Sequence, residues 1–227
     1  MTTPRAQLHL ITDRKRCRGD LLAAVRAALG SGVDWVQVRE KSAPALDVFR
    51  LVCALAPACR DRGVGLLVND RVDVALAAGA QGVHLARKSL PPQVARRLLT
   101  ARHLLGCSVH SLPEALEAVR GGADYVTFGN VFPTASHPGL PPRGVESLRE
   151  VVVAVEVPVI AVGGITLETL PQVLATGCAG VAVIGAILES PDPGGAARAF
   201  REALEASPVR PRHPFPLPPT VDAGVRP

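Results

Sequence analysis

The stretch from Gly106 to Gly144, GCSVHSLPEALEAVRGGADYVTFGNVFPTASHPGLPPRG, decides how the chain is read. Taken with the two leucines before it, it opens as the short apolar run LLGCSV, a strand pattern that ends on His110. Ser111 with Glu114 three residues on has the spacing of a capping box, so a helix begins there. Glycines close that helix, because a left-handed glycine turns the chain back towards the next element. YVTFGN (Tyr125–Asn130) is a second apolar strand, and a loop rich in Thr, Ser, His, Pro and Gly follows it. Strand, crossover helix and strand make a parallel unit. A titratable ring at one strand end and a polar loop at the next give that unit the parts of a site.

Six further apolar runs repeat the pattern on either side. QLHLIT (Gln7–Thr12), WVQVRE (Trp35–Glu40), GLLVND (Gly65–Asp70) and GVHLA (Gly82–Ala86) precede the central unit. PVIAVGG (Pro158–Gly164) and GVAVIG (Gly180–Gly185) follow it. Helical patterns lie between them, one opened by Pro44 and one with Pro91 near its start, where a first-turn N–H has no partner to lose. SGVDWV, AGAQGV, GGADYV and TGCAGV each repeat the glycine return into a strand. Short apolar runs separated by helices predict parallel strands covered by helices. Eight such units favour an α/β fold of the closed (β/α)8 TIM barrel type, in a single domain over residues 1–207. Residues 208–227 hold seven prolines and neither a helical nor a strand pattern, and predict an extended or disordered Pro-rich tail.

Composition narrows the function classes. The five cysteines are scattered without CxxC spacing, which predicts reduced core thiols rather than a disulfide framework or metal site. The N-terminus lacks the apolar core of a signal peptide and no apolar run is long enough to span a membrane, so a cytoplasmic protein with no membrane partner is expected. Net charge is +5, and +3 without residues 208–227. No basic block interleaved with aromatics appears and no nucleic-acid partner is expected; the modest positive bias suits a phosphorylated small molecule at least as well as DNA.

Chemistry in such a barrel sits where the strands end. Alternation along WVQVREK places Gln37, Arg39 and Lys41 on one side, a clamp for an anion, or for the two cations merely a solvated rim. Gly163 and Gly164, with Gly185 and Ala186, let backbone N–H groups approach a phosphate closely, although a glycine pair also makes a plain tight turn. Asn69 and Asp70 offer oxygen ligands for Mg²⁺, but an N-cap for the next helix is the preferred reading. His110 is a candidate acid or base; with Ser111 taking the cap, its ring is expected to project freely from the strand end.

LITD, QVREK, LLVNDRVDVALAAGAQGVHL, GCSVHSLPEALEA, GADYVTFGNVFPT, PVIAVGGIT and GAILES together resemble the thiamine phosphate synthase superfamily, over roughly Gln7 to Leu204. The resemblance implies a barrel that binds a thiazole phosphate in thiamine biosynthesis. It also offers two reactions. In the synthase branch, a transferase, a pyrimidine diphosphate is joined to a thiazole phosphate with Mg²⁺; the pattern after the fourth strand is similar to HLGQxDL, and a PTxTK loop carries a lysine. Here the first reads HLARKSL, with Ser89 at the acidic place, and the second PTASHPGL, with His137 at the lysine's place. SVHSLPEA and GLPPRG resemble the thiazole tautomerase branch more closely. The expectation is therefore a metal-independent isomerase in which His110 carries the proton that aromatises the thiazole, with no cofactor. Gln37, Arg39, Lys41, Asn69, Thr134, Ser136, Gly163, Gly164, Gly185 and Ala186 are then the expected substrate-binding residues. The alternative is the synthase, with Mg²⁺ at Asp70. A non-catalytic regulatory barrel ranks third, and assembly into a homo-oligomer stays open.

Overall fold

The computed structural model of the chain describes residues 5–136 and 139–216. All eight expected strands form: β1 (Gln7–Ile11), β2 (Trp35–Val38), β3 (Gly65–Asn69), β4 (Gly82–Leu85), β5 (Leu104–Val109), β6 (Tyr125–Phe128), β7 (Val159–Val162) and β8 (Gly180–Val183). They pair in parallel and in chain order, and β8 closes on β1 with His9 opposite Ala182. The fold is a (β/α)8 TIM barrel. The helices are α1 (Leu21–Leu29), α2 (Ala45–Asp61), α3 (Val72–Ala77), α4 (Pro92–Leu98), α5 (Leu112–Arg120), α6 (Gly144–Ala154), α7 (Leu170–Leu174), the short α8 (Gly185–Leu188) and α9 (Pro193–Glu205). Ser111 caps α5 as its sequence predicts, its Oγ accepting from the Glu114 amide at 3.4 Å. The Glu114 carboxylate reaches one residue further back than a capping box requires and accepts from the His110 amide at 2.7 Å.

Two apolar clusters hold the barrel. The larger lies between strands and helices, and is built from Val, Leu and Ala. The smaller fills the lumen with Ile11, Trp35, Leu67, Tyr125, Ile160, Ala179, Ala182 and Phe215. Large rings fit inside an eight-stranded barrel here because glycines face them. A Cβ on Gly65 would collide with the Trp35 indole, and one on Gly106 with the Tyr125 ring. Both glycines sit opposite those aromatics in the strand register.

The first part of the expected Pro-rich tail is extended and packs against the barrel. Residues 208–216 have no regular secondary structure, but Arg212 N–H donates to the Gly177 carbonyl at 2.9 Å and brings the chain beneath the barrel. Phe215 then enters the lumen from below and is 4% exposed. It lies edge-on to His9, Tyr125 and Trp35 with ring centroids at 4.7, 4.8 and 5.4 Å. Prolines exclude a helix there, yet the composition of the segment conceals that one aromatic has an apolar place waiting for it. The rest of the expected tail, 217–227, lies outside the described residues.

Cys59, Cys107 and Cys178 are buried free thiols, as expected; Cys53 is exposed and Cys17 half-buried, and both are also free. Among the described residues no helix is long and apolar enough to cross a membrane.

Candidate active site

The C-terminal ends of the strands open on one cavity of about 890 Å³. All ten expected substrate-binding residues line it, as do His110 and Asp70. His137 lies outside the described residues, so its comparison with a lysine has no structural counterpart here.

Strand order divides the mouth. The β2, β3 and β4 side carries Gln37, Arg39, Lys41, Asn69, Asp70, Arg87 and Lys88; the β7 and β8 side carries Gly163, Gly164, Gly185 and Ala186. On the first side, alternation along β2 turns Gln37 and Arg39 inward and sends Glu40 the other way. Glu40 accepts from the Thr12 hydroxyl at 2.9 Å, and the same Thr12 oxygen accepts from the Arg39 amide at 2.9 Å. That bridge to β1 fixes the backbone from which Arg39 projects. Burial lowers the pKa of the Arg39 guanidinium, while the carboxylates of Asp13, Asp70 and Glu40 raise it. Lys41 is more open; its pKa is lowered by partial burial and then by the charge of Arg39, with Lys88 acting in the same direction and Asp13 and Asp70 opposing. Cations gathered this closely favour a polyanion between them.

Gln37 donates to Asn69 Oδ1 at 3.0 Å, and Asn69 donates to Asp70 Oδ2 at 2.6 Å. Asp70 does not cap α3, against expectation: Arg71 holds that position and makes no side-chain cap bond. The reason is local. Asp70 has a left-handed φ of 62°, which turns its carboxylate away from the first turn of α3 and towards the loop after β4. There Oδ1 accepts from the Ala86 amide at 3.0 Å and from the Ser89 hydroxyl.

His110 is not free either. Its Nδ1 bonds the Gly129 carbonyl, so that nitrogen carries the proton and the ring is tied to the end of β6. The floor of the cavity is set by residues that the sequence reading did not select, Ser108 and Thr127. Both hydroxyls meet His84 Nε2, at 2.9 and 3.2 Å, while His84 Nδ1 meets the Tyr125 hydroxyl at 3.0 Å. Burial drives the His84 pKa down to about 4, so the ring is neutral and orients its neighbours by hydrogen bonds rather than charge. Ser108 stands two residues before His110, and Thr127 two before Gly129. Strand alternation alone was enough to put both on the inner face. Arg16, on a 3-10 turn, and Arg143, just before α6, also line the mouth from places where no periodicity betrays a side chain's direction.

The thiamine monophosphate synthase family matches residues 8–187. A thiamine-phosphate synthase of Roseiflexus sp. (strain RS-1) is 42% identical over 203 residues, covering 88% of this chain and 86% of the relative. The thiamine-phosphate synthase of Pyrococcus horikoshii is 39% identical over 201 residues, covering 88% and 96%. Among solved structures, a thiamine phosphate pyrophosphorylase from Pyrococcus furiosus superposes with a TM-score of 0.81 at 39% identity, over 88% of this chain and 95% of that one. These relatives overturn the expected tautomerase: they carry the synthase's name, at 39–42% identity over 88% of the chain. Ser89 is not a lost ligand: its hydroxyl supports Asp70, which Asn69 links to Gln37 in the same row as Arg39 and Lys41. The match runs from the first strand of the barrel through the last, and the chain belongs to the thiamine monophosphate synthase family.

Proposed function

We propose that the chain is a transferase of thiamine biosynthesis that joins a pyrimidine diphosphate to a thiazole phosphate and releases diphosphate. The observation that carries this reading is the row Gln37, Arg39 and Lys41 beside the hydrogen-bonded pair Asn69–Asp70, on one side of a cavity whose other side is glycine-rich. In the reaction the bond from the pyrimidine methylene carbon to the diphosphate oxygen breaks, and the thiazole nitrogen supplies the electron pair for the new C–N bond. That nitrogen bears no proton, so the joining step needs no general base. A ring tied as His110 is to a backbone carbonyl then serves as wall and not as proton carrier. The negative charge that develops on the departing diphosphate is the quantity to stabilise, and preset cations do this best in a water-poor site. Arg39 and Lys41 are placed for it, with Arg87 and Lys88 behind them.

The residues present fit a Mg²⁺ ion brought in with the diphosphate. Mg²⁺ is commonly held by one or two carboxylates together with substrate phosphates and water. Asp70 is one such carboxylate: its oxygens accept from Asn69, Ala86 and Ser89, which leaves acceptor capacity for a cation. Among the described residues there is no group of three or more His, Cys, Asp or Glu to hold a metal, which agrees with an ion carried by the substrate. When bound, the ion would neutralise diphosphate charge; Asn69 and Ser89 hold the Asp70 carboxylate in place for it. On the far side, Gly163 and Gly164, at φ 98° and 67°, and Gly185 leave backbone exposed to the phosphate of the thiazole.

The test is a joining assay on purified protein with both substrates, with and without Mg²⁺. Diphosphate and thiamine phosphate should appear in equal amounts, and only with Mg²⁺ present at useful rates. No diphosphate release from well-folded protein would refute the reading.

A further inference from the structure

Arg16 enters the mouth from the 3-10 turn Arg14–Arg16 that follows β1. Its Nε donates to Glu189 Oε1 at 2.6 Å and its Nη1 to Ser136 Oγ at 2.7 Å. One guanidinium thus ties together the loops after β1, β6 and β8. The remaining nitrogen, Nη2, makes no hydrogen bond among the described residues, and it is the atom nearest to where a Cβ on Gly185 would stand. The Arg16 side chain is 20% exposed, whereas its partner Glu189 is 53% exposed. An ion pair with a carboxylate that open to water holds weakly. A phosphate dianion at the same place accepts two parallel N–H groups from a guanidinium and binds it better. Gly185 makes this geometry available, since a side chain there would meet both the guanidinium and the Glu189 carboxyl carbon.

We propose that Arg16 is a ligand of the phosphate monoester received beside Gly163, Gly164 and Gly185, and that Glu189 holds its guanidinium in place until the ester arrives. The identity of the ester as a thiazole phosphate rests on the joining reaction proposed above; the binding of a phosphate monoester does not. The contact with Ser136 makes the same guanidinium the tie between the ester and the loop after β6.

Three full-length variants test this: Arg16→Ala, Glu189→Gln and Arg16→Lys. Calorimetric titration with inorganic phosphate reads the subsite without turnover, and the KM of each substrate reads it during turnover. Arg16→Ala should weaken phosphate and raise the KM of the thiazole phosphate by on the order of 10- to 100-fold, with the KM of the pyrimidine diphosphate unchanged. Glu189→Gln should move phosphate binding the opposite way, several-fold tighter, because the competing carboxylate charge is gone. Arg16→Lys keeps the charge but loses the planar fork and should show a smaller loss of the same sign, which keeps the test alive if Arg16→Ala fails to fold. A merely structural ion pair predicts that Arg16→Ala and Glu189→Gln shift binding in the same direction. That result, unchanged phosphate affinity in Arg16→Ala, or no phosphate binding by the parent protein would overturn the proposal. Normal phosphate titration with no joined product would sink the proposed reaction and leave Arg16 standing.

Discussion

The two ends of the barrel lumen are drawn from the same strands and have opposite characters. β2 contributes Trp35 below and Gln37 above, with Arg39 just past its end; β6 contributes Tyr125 below and Thr127 above. The lower end is a dry stack in which Phe215 meets three rings edge-on, and the upper end is a charged mouth. The change happens at His84, which gives one ring nitrogen to Tyr125 and the other to Ser108 and Thr127. A step of two residues along a strand is enough to pass from stability to chemistry. The two ends should therefore answer to different measurements.

The largest effect is expected below. Phe215→Ala empties a buried ring's volume from the lumen and should cost about 3–5 kcal/mol of unfolding free energy, measured by urea denaturation. kcat/KM should stay within a small factor of the parent at temperatures where the variant is folded. Next comes the mouth. Lys41→Ala should lower kcat/KM by on the order of 10²-fold, about 2.7 kcal/mol in the barrier, with a melting temperature close to the parent's because its side chain is exposed. If Phe215→Ala lowered turnover as Lys41→Ala does, the separation of the two ends would fail.

A smaller effect tests the dry end through pH. Burial drives the His9 pKa from 6.5 to about 3, with the nearby His84 adding to the shift, and drives the His84 pKa to about 4. Above pH 6.5 both rings are neutral folded or unfolded. Below it the unfolded chain takes up protons that the folded chain refuses, so stability falls as pH drops from about 6.5 towards 4. Each ring contributes a slope of about 1.4 kcal/mol per pH unit at most. His9→Leu, which also removes an unpartnered buried Nε2, should flatten the urea-derived slope between pH 6 and pH 5 by about that amount. An unchanged slope would mean that water reaches His9 in the lumen.

The barrel was legible because its signals are periodic. Eight apolar runs with glycine returns specify strands and their order, and the residues at the strand ends then collect at one mouth. Gln37, Arg39, Lys41 and the glycines of the β7 and β8 loops follow from that rule and line the cavity, whereas Asn69 enters as a binding residue only through the family resemblance. Whatever depended on a single backbone angle or on a loop was not. The left-handed φ of Asp70 reversed its reading from cap to carboxylate of the site, and Arg16 sits on a turn with no repeat to follow. The choice between two reactions failed for a similar reason. It weighed Ser89 as a missing ligand, whereas the structure gives that hydroxyl to Asp70 as a support. Phe215 was hidden because proline content describes a segment's backbone and is silent about where one side chain docks.

The position of Phe215 also bears on how the chain folds. The family model ends at residue 187, and Phe215 lies 28 residues beyond it. Its ring rests on His9 in β1, and Arg201 on α9 reaches the Ala6 carbonyl at 2.7 Å. The lumen therefore stays without its floor until residue 215 is in place, and contacts so far apart in sequence are slow to form. A fragment cut at the family boundary keeps every strand and every residue of the mouth except Glu189, but it exposes Trp35, Tyr125 and His9 to water from below.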